Sequence, residues 1–103
     1  NSHMIDVRQT PEFRNWLMAL RDKQAAARIQ IRLDRLTLGL LGDVKPVGAG
    51  LSELRVDYGP GYRVYFVQRG KVLIIVLCGG DKRTQEADIN RAKALAKELN
   101  NGT

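Results

Sequence analysis

Three basic residues and a tyrosine in the middle of this sequence have the types and the spacing that could do chemistry. Arg63 and Tyr65 are two residues apart, so both side chains lie on one face if this segment is a strand. A three-residue turn at residues 59–61 would bring Arg55 opposite Tyr65 on that same face. Lys82 follows the last strand of the same stretch. We therefore expect one cationic and aromatic cluster.

Such a cluster suits chemistry at a phosphate group. Guanidinium and ammonium groups stabilise the negative charge that develops on a reacting phosphate. A tyrosine can stack on a base or carry a proton. A plainer interpretation is a set of cross-strand ion pairs, because Asp57 is expected opposite Arg63 and Glu53 lies near Arg55. The pattern alone leaves both interpretations open.

The stretch Leu51–Lys82 predicts three consecutive strands, divided by turns at residues 59–61 and 69–70. A two-residue turn at 69–70 would place Val67 opposite Val72. Alternation then predicts one apolar face, which comprises Leu54, Val56, Tyr58, Tyr62, Val64, Phe66, Leu73, Ile75 and Leu77. The opposite face carries the charged residues on its first two strands.

The last of these strands, residues 72–78, is apolar on both faces. Its second face must therefore be covered, either within the molecule or by a partner. A helix that begins after Thr84 can cover part of it, because apolar residues recur there at helical spacing. These residues are Ile89, Ala92, Leu95 and Leu99.

The N-terminal half predicts a short strand and two helices. The strand is Met4–Arg8, and the helices begin after the capping residues Thr10 and Asp22, the second ending before Gly39. Their short connection predicts an antiparallel helical hairpin. Residues 40–50 are rich in glycine and predict a loop. The order β-α-α-β-β-β-α predicts an α+β fold, an antiparallel sheet packed on the N-terminal helical hairpin with a C-terminal helix.

Length and charge indicate one small basic domain. The chain has 103 residues, and we expect a single domain over residues 4–103 after a cloning remnant at residues 1–3. The net charge of +6 favours a polyanionic partner such as nucleic acid. A basic helix face is also commonly just a solvated one. The candidate RNA-binding residues are Arg28, Arg32, Arg35, Lys45 and Arg83.

Several kinds of site are not predicted. The sequence has one histidine, His3 in the expected remnant, and one cysteine, Cys78, so no disulfide, metal site or histidine-containing triad is expected. Residues 79–82, with the sequence GGDK, lack the full phosphate-loop pattern. There is no apolar run of about 20 residues and no signal peptide. We therefore expect a cytoplasmic protein with no small-molecule cofactor and no membrane contact.

Three motifs give the chain a resemblance to a known family. They are Leu54-Arg55, Gly61-Tyr62-Arg63-Val64-Tyr65-Phe66 and Gly79-Gly80-Asp81-Lys82-x-x-Gln85-x-x-Asp88-Ile89-x-x-Ala92. With this spacing, the sequence from Met4 to Leu99 resembles the RelE/ParE toxin superfamily and most closely its HigB-like addiction-module killer proteins. The resemblance implies the toxin of a type II toxin–antitoxin system, neutralised by a cognate antitoxin of the helix-turn-helix type.

The resemblance also implies an activity. Many members are ribosome-dependent mRNA endonucleases, in which the ribose 2′-hydroxyl attacks the adjacent phosphate. Arg63 matches the arginine of the family's GYR strand, Lys82 matches a basic residue after the last strand, and Arg55 matches a lysine-bearing strand position more loosely. With Tyr65 as the nearest proton carrier, these four are the candidate catalytic residues. Asp88 stands where such nucleases have a tyrosine or histidine, and it could instead cap or support the loop.

A second function stays open at this point. ParE members of the superfamily share the fold but inhibit DNA gyrase without cutting RNA. The missing histidine and the missing C-terminal tyrosine keep this alternative in place. In either case the expected partner is an antitoxin, and the nuclease would also meet the ribosome and mRNA.

Overall fold

The chain folds as three helices and five strands in a computed structural model that describes residues 4–101. The elements are β1 (Asp6–Gln9), α1 (Pro11–Ala19), α2 (Lys23–Thr37), β2 (Val44–Gly48), β3 (Leu51–Val56), β4 (Tyr62–Arg69), β5 (Leu73–Asp81) and α3 (Gln85–Asn101). A single 3₁₀ turn, Lys82–Thr84, joins β5 to α3. The predicted α+β class is confirmed. The expected cloning remnant lies outside the described residues.

The five strands form one mixed sheet in the order β1-β5-β4-β3-β2. The pairs β2–β3, β3–β4 and β4–β5 are antiparallel, whereas β1 runs parallel to β5. The expected sheet was purely antiparallel and lacked β2, because residues 40–50 were interpreted as a loop. That interpretation is wrong for Val44–Gly48. A strand that contains Pro46 is tolerated there because β2 is at the sheet edge.

The register between β3 and β4 differs from the predicted one by two positions. Arg55 lies opposite Arg63, and Tyr65 lies opposite Glu53, so the predicted pairs Arg55–Tyr65 and Asp57–Arg63 are wrong. The turn is longer than the three residues that we predicted. A shift of two residues leaves every side chain on its predicted face, because alternation has a period of two. Arg55, Arg63 and Tyr65 therefore do share one face.

The register between β4 and β5 also differs from the predicted one, and this difference changes which side chains of β5 lie on each face of the sheet. Val67 lies opposite Ile75 rather than Val72, because the turn comprises residues 70–72 and not 69–70. This odd shift moves the first half of β5 to the opposite face. An irregularity near Leu77 then adds one residue to β5, so that Cys78 returns to its predicted face opposite Tyr65.

Each face of the sheet has its own hydrophobic core. Phe13 of α1 and Ile29, Leu33 and Leu36 of α2 pack with the sheet on one side. Ala92 and Ala96 of α3 pack on the other, which confirms that the C-terminal helix covers the second face of the last strand. The sheet residues of the first core are Leu54, Val56, Val64, Phe66, Ile74 and Val76, and those of the second are Leu51, Tyr65, Val67, Leu77 and Cys78.

Local signals set the ends of the first two helices as predicted. The Thr10 hydroxyl accepts a hydrogen bond from the Phe13 backbone at 3.0 Å, and the Asp22 carboxylate accepts from Gln24 and Ala25. Gly39 follows α2 with a φ of +76°, a conformation that glycine adopts readily. None of the helices within residues 4–101 is both long and apolar enough to cross a bilayer.

The Trp16 ring packs on the backbone of β5. A Cβ atom at Gly79 would lie 2.5 Å from Trp16 Cε3, so this position requires glycine for reasons of space. Its φ is not in the left-handed region, so an alanine there would add no backbone strain. Trp16 also lies 6.1 Å from the Tyr62 ring and 5.7 Å from the Phe13 ring, centroid to centroid.

We expect Gly79→Ala to lower the free energy of unfolding by about 1–3 kcal/mol, because the added methyl group overpacks this contact. Urea unfolding followed by circular dichroism measures the loss. In a Trp16→Leu background the same change should cost less, because the obstructing ring is gone. An equal loss in both backgrounds would show that the clash with Trp16 is not the cause.

Candidate functional site

Three of the four predicted catalytic side chains line one concavity at the end of the sheet. Arg55 and Arg63 meet there as a cross-strand pair, and Lys82 enters from the 3₁₀ turn after β5. The concavity has a volume of about 450 Å³. Its other lining residues are Asp43, Asp57, Gly59, Pro60 and Gly61. We call it the cationic concavity.

Arg55 is held at the rim of the cationic concavity by Asp43. Its Nη2 and Nε donate to Asp43 Oδ1 at 2.7 and 3.1 Å. This hydrogen bond holds the pKa of the Asp43 carboxyl below its ordinary value. Arg55 thus retains an ordered orientation although it is partly exposed to solvent.

Arg63 is more enclosed than Arg55. Its side chain is only 14% exposed, and its Nε lies 3.9 Å from Glu53 Oε1. That separation is too long for a hydrogen bond. The Nε atom is buried, and nothing in the described part of the chain accepts a hydrogen bond from it. The ion pair that the plainer interpretation expected for Arg63 is therefore with Glu53, not with Asp57.

Tyr65 differs from the other three candidates because it is fully buried. Its hydroxyl donates to Glu53 Oε2 at 3.0 Å, and Gln85 Nε2 donates to the same oxygen at 2.7 Å. Burial, and then the neighbouring Glu53 carboxylate, raises the pKa of Tyr65 far above its ordinary value. Tyr65 thus shares a sheet face with the arginines, but α3 covers this part of the sheet and Tyr65 does not line the concavity.

Glu53 and Gln85 are site residues whose part in the site the sequence did not indicate: Glu53 was expected only as an ion-pair partner near Arg55, and Gln85 had no expected role. Glu53 is a charged residue with an exposed fraction of 1%. The available signal was its place on the same predicted strand face as Tyr65, together with a glutamine three residues after Lys82 in the GGDK motif. Neither position suggests burial until α3 is placed.

The GGDK motif delivers Lys82 to the concavity. Asp81 caps the 3₁₀ turn by accepting from the Arg83 backbone at 2.8 Å, and its other oxygen accepts from the Arg83 side chain. A Cβ atom at Gly80 would lie 1.8 Å from Asp88 Oδ2, so Gly80 makes room for that carboxylate. Asp88 accepts from the Thr84 hydroxyl at 2.5 Å and does not line the concavity. This geometry agrees with Asp88 supporting the loop.

The predicted RNA-binding residues fall into separate places. Arg28, Arg32 and Arg35 line a neighbouring hollow of about 250 Å³ between α2 and the segment Val56–Tyr58. The Arg28 guanidinium lies 4.5 Å from the centroid of the Tyr58 ring.

Arg32 and the two remaining candidates, Lys45 and Arg83, differ in how firmly they are held. Arg32 has a structural task, because its Nη1 donates to the Arg55 carbonyl at 2.6 Å and its Nη2 to two further carbonyls. Lys45 lies exposed on β2, and Arg83 lies within the 3₁₀ turn, where its exposed side chain forms an ion pair with Asp81. The structure therefore does not bring these two into the cationic concavity. Residues 4–101 contain no group of His, Cys, Asp and Glu side chains that could hold a metal ion.

The fold of the chain is similar to one that is known from a solved structure. It superposes on a chain of the crystal structure of the toxin–antitoxin complex RelBE2 from Mycobacterium tuberculosis with a TM-score of 0.60 and 23% sequence identity, covering 77% of this chain and 99% of that one. By sequence, the chain belongs to the family of phage-derived Gp49-like proteins (DUF891), which it matches over residues 15–100. It is also 50% identical over 95 residues to an uncharacterized protein of Haemophilus influenzae, a match that covers 92% of this chain and 96% of that protein.

The buried tyrosine makes a prediction about alkaline stability. Tyr65 keeps its proton in the folded state, whereas an unfolded tyrosine loses it near pH 10. The unfolded state therefore binds fewer protons above about pH 10, and the free energy of unfolding falls as the pH rises. We expect Tyr65→Phe to reduce this fall, while lowering stability at neutral pH by about 1.5–3 kcal/mol through the lost hydrogen bond to Glu53.

Urea unfolding at a series of pH values, from neutral to about pH 11, measures how steeply the free energy of unfolding falls as the pH rises. Burial also raises the pKa of Tyr62. Tyr62→Phe is therefore the comparison, and the double variant should show the smallest fall. A slope that Tyr65→Phe leaves unchanged would contradict the role given to Tyr65.

Proposed function

We propose that this protein is the toxin of a type II toxin–antitoxin pair, of the HigB-like kind, and that it cuts mRNA on the ribosome in the cytoplasm. The observation that carries the proposal is the meeting of Arg55, Arg63 and Lys82 in the cationic concavity. These three cations come from β3, β4 and the turn after β5. They belong to separate motifs of the sequence, and only tertiary folding brings them together.

The chemistry that suits this concavity is transfer of a phosphoryl group from the 5′-oxygen to the 2′-oxygen within RNA. The ribose 2′-hydroxyl gives its proton to water as its oxygen bonds to the adjacent phosphorus, the bond from phosphorus to the 5′-oxygen breaks, and the 5′-oxygen takes a proton from water, so that the products are a cyclic phosphate and a free 5′-hydroxyl. Negative charge on the phosphoryl oxygens grows in the transition state, and preorganised cations stabilise it. Removing one such donor typically slows an enzyme by about 10²–10³ fold. We assign this task to Arg63, Lys82 and Arg55.

Tyr65 has no proton-transfer role in this proposal. It is buried, its hydroxyl is engaged with Glu53, and its pKa is raised, so it neither reaches a substrate nor gives up its proton near neutral pH. The carboxylates that line the concavity are Asp43 and Asp57. Asp43 is bound to Arg55, whereas Asp57 is exposed.

The neighbouring hollow extends the basic surface beyond the scissile phosphate. It shares Asp57 with the cationic concavity, and its exposed cations Arg28 and Arg35 lie on α2. We propose that these two side chains, with Lys45 and Arg83 farther away, contact RNA phosphates of the mRNA or the ribosome. Such contacts position RNA without reading its sequence. Arg32 contributes through the carbonyl of Arg55 on β3 and the two loop carbonyls to which it donates.

One observation favours the ParE-like alternative, inhibition of DNA gyrase. The tyrosine expected to carry a proton is absent from the surface of the concavity. A non-enzymatic toxin would need no proton carrier there. The two functions differ in what happens to RNA and DNA inside the cell, so one experiment separates them.

We expect induction of the wild-type protein in bacteria to stop translation and to produce new 5′-hydroxyl ends within translated mRNAs. Arg63→Ala and Lys82→Ala should each reduce the frequency of these ends by about 10²-fold or more, because each removes a cation from the transition state. Sequencing of RNA 5′ ends after induction measures the effect. DNA damage with intact translation and uncut mRNA would favour gyrase inhibition instead.

Lys71→Ala is the matched control for Lys82→Ala. Lys71 is also exposed, but it lies in the turn before β5 and thus at the opposite end of that strand. The control removes the same charge and should leave cleavage unchanged. Circular dichroism of each purified variant establishes that it is folded. A fully active, folded Arg63→Ala protein would overturn the site assignment.

We also propose a cognate antitoxin of the helix-turn-helix type as the partner. The structural neighbour RelBE2 is a toxin–antitoxin complex. The net charge of +6 and the cationic concavity favour an acidic segment that lies over Arg55 and Arg63.

We expect the protein encoded beside the toxin gene to restore growth when both are expressed. In the purified complex it should shield the concavity from an arginine-specific reagent, with Arg8 on β1 as the exposed reference residue. Mass spectrometry of the labelled arginines measures the protection. Equal labelling of Arg55 in the free and complexed toxin would contradict this mode of neutralisation.

A further inference from the structure

A buried carboxylate lies directly beneath the cationic concavity. Glu53 on β3 is 1% exposed, and its Oε2 atom accepts hydrogen bonds from Tyr65 on β4 and Gln85 at the start of α3. Its Oε1 atom faces the Arg63 Nε at 3.9 Å. Two neutral donors thus fix the orientation of Glu53 and leave its second oxygen directed at the arginine.

This arrangement encloses the Arg63 side chain but forms no hydrogen bond with its Nε. Its side chain lines the concavity but is largely enclosed, so the guanidinium has little room to turn. Within residues 4–101 its Nε has no hydrogen-bond acceptor, and at 3.9 Å the attraction to Glu53 is ionic only. Because Nε is buried, an anion that enters the concavity meets the outer part of the Arg63 guanidinium and not Nε.

We propose that Glu53, locked by Tyr65 and Gln85, is a positioning residue that holds the Arg63 guanidinium ready for an RNA phosphate. Without a bound phosphate, Arg63 is repelled by Arg55, its cross-strand neighbour, and by Lys82. A negative charge beneath the site offsets this repulsion and keeps Arg63 in place before RNA arrives. The inference rests on the proposed function, because it takes RNA as the ligand.

This role is separable from a purely electrostatic one by the sign of the effect. If Glu53 acted only through its charge, Glu53→Gln would make the concavity more positive and phosphate would bind more tightly. If Glu53 positions Arg63, the same variant frees the guanidinium and phosphate binds more weakly. Tyr65→Phe changes no charge but releases one of the two bonds that lock Glu53. If Glu53 positions Arg63, phosphate should bind more weakly in Tyr65→Phe as well.

The experiment titrates the protein with inorganic phosphate at constant ionic strength. The Arg63 Nε–H signal is followed in proton–nitrogen NMR correlation spectra and is assigned by its loss in Arg63→Lys. We expect Glu53→Gln and Tyr65→Phe to shift this signal before any phosphate is added, and Glu53→Gln to weaken phosphate binding by about tenfold. An unshifted signal, or binding that is equal or tighter in Glu53→Gln, overturns the proposal.

Kinetics supply the second measurement. In ribosome-dependent cleavage of mRNA, we expect Glu53→Gln to lower kcat by about 10- to 100-fold with a smaller change in KM, because the misplaced group acts mainly in the transition state. An unchanged kcat overturns the proposal. If the wild-type protein cleaves no RNA at all, the proposed function fails, whereas the phosphate titration still decides the role of Glu53.

Loss of stability is controlled by Val67→Ala. Val67 is buried two residues beyond Tyr65 on β4, on the same side of the sheet, and is not part of the hydrogen-bonded network. Its truncation should destabilise the fold while leaving the Arg63 signal and kcat unchanged. An equal loss of kcat per folded molecule in Val67→Ala would show that general loosening, and not Glu53, explains the effect. Tyr65→Phe, which keeps the ring, provides the test if Glu53→Gln does not fold.

Discussion

The hydrogen-bonded carboxylate of Glu53 links the packing of the last helix to the geometry of the concavity. Burying a carboxylate costs several kcal/mol unless its oxygens are hydrogen-bonded and its charge is balanced, a cost on the order of the whole stability of a small domain. Tyr65 and Gln85 supply the hydrogen bonds, and Arg63 supplies the opposite charge. These partners belong to β4 and α3, so the position of the last helix and the position of Arg63 are determined together.

Strand β5 shows how closely the helices must approach the sheet for this to work. Two adjacent glycines serve opposite faces, since Gly79 admits the Trp16 ring of α1 and Gly80 admits the carboxylate of Asp88 from α3. A larger residue at either position would push one helix outward. Because the 3₁₀ turn follows directly, a displaced α3 would also displace Lys82. The small residues of this motif therefore act on the site through distance, not through contact with a ligand.

The sequence predicted well those features that are decided within a few residues. The caps at Thr10 and Asp22 and the end of α2 before Gly39 follow from local hydrogen bonding and backbone conformation. The prediction of which side chains of β3 and β4 share a face is also correct although the predicted register is wrong, because the error was an even number of residues.

The failures are non-local. One extra turn residue and the irregularity near Leu77 decide which face each part of β5 presents, and strand alternation alone encodes neither. Similarly, the burial of Tyr65 depends on α3, which lies 20 residues farther along the chain at Gln85. The grouping of Arg55, Arg63 and Lys82 was predictable because motif spacing and strand faces both indicated it. The carboxylate beneath them was not, because a glutamate on a strand is normally exposed.

The side chains of the three cations in the concavity differ in mobility. This difference suits the proposed reaction, in which the charge on a phosphate changes. Arg63 is enclosed and balanced at a distance by Glu53, Arg55 is hydrogen-bonded to Asp43 at the rim, and Lys82 is exposed on the turn. An enclosed cation loses little entropy on binding and acts without reorganisation, which is the condition for stabilising a transition state. A mobile lysine loses more conformational entropy when it binds, but it can adapt to the position of the phosphate in a flexible RNA strand. A site of three equally mobile lysines would attract RNA as strongly, yet it would lack the fixed geometry that distinguishes catalysis from binding.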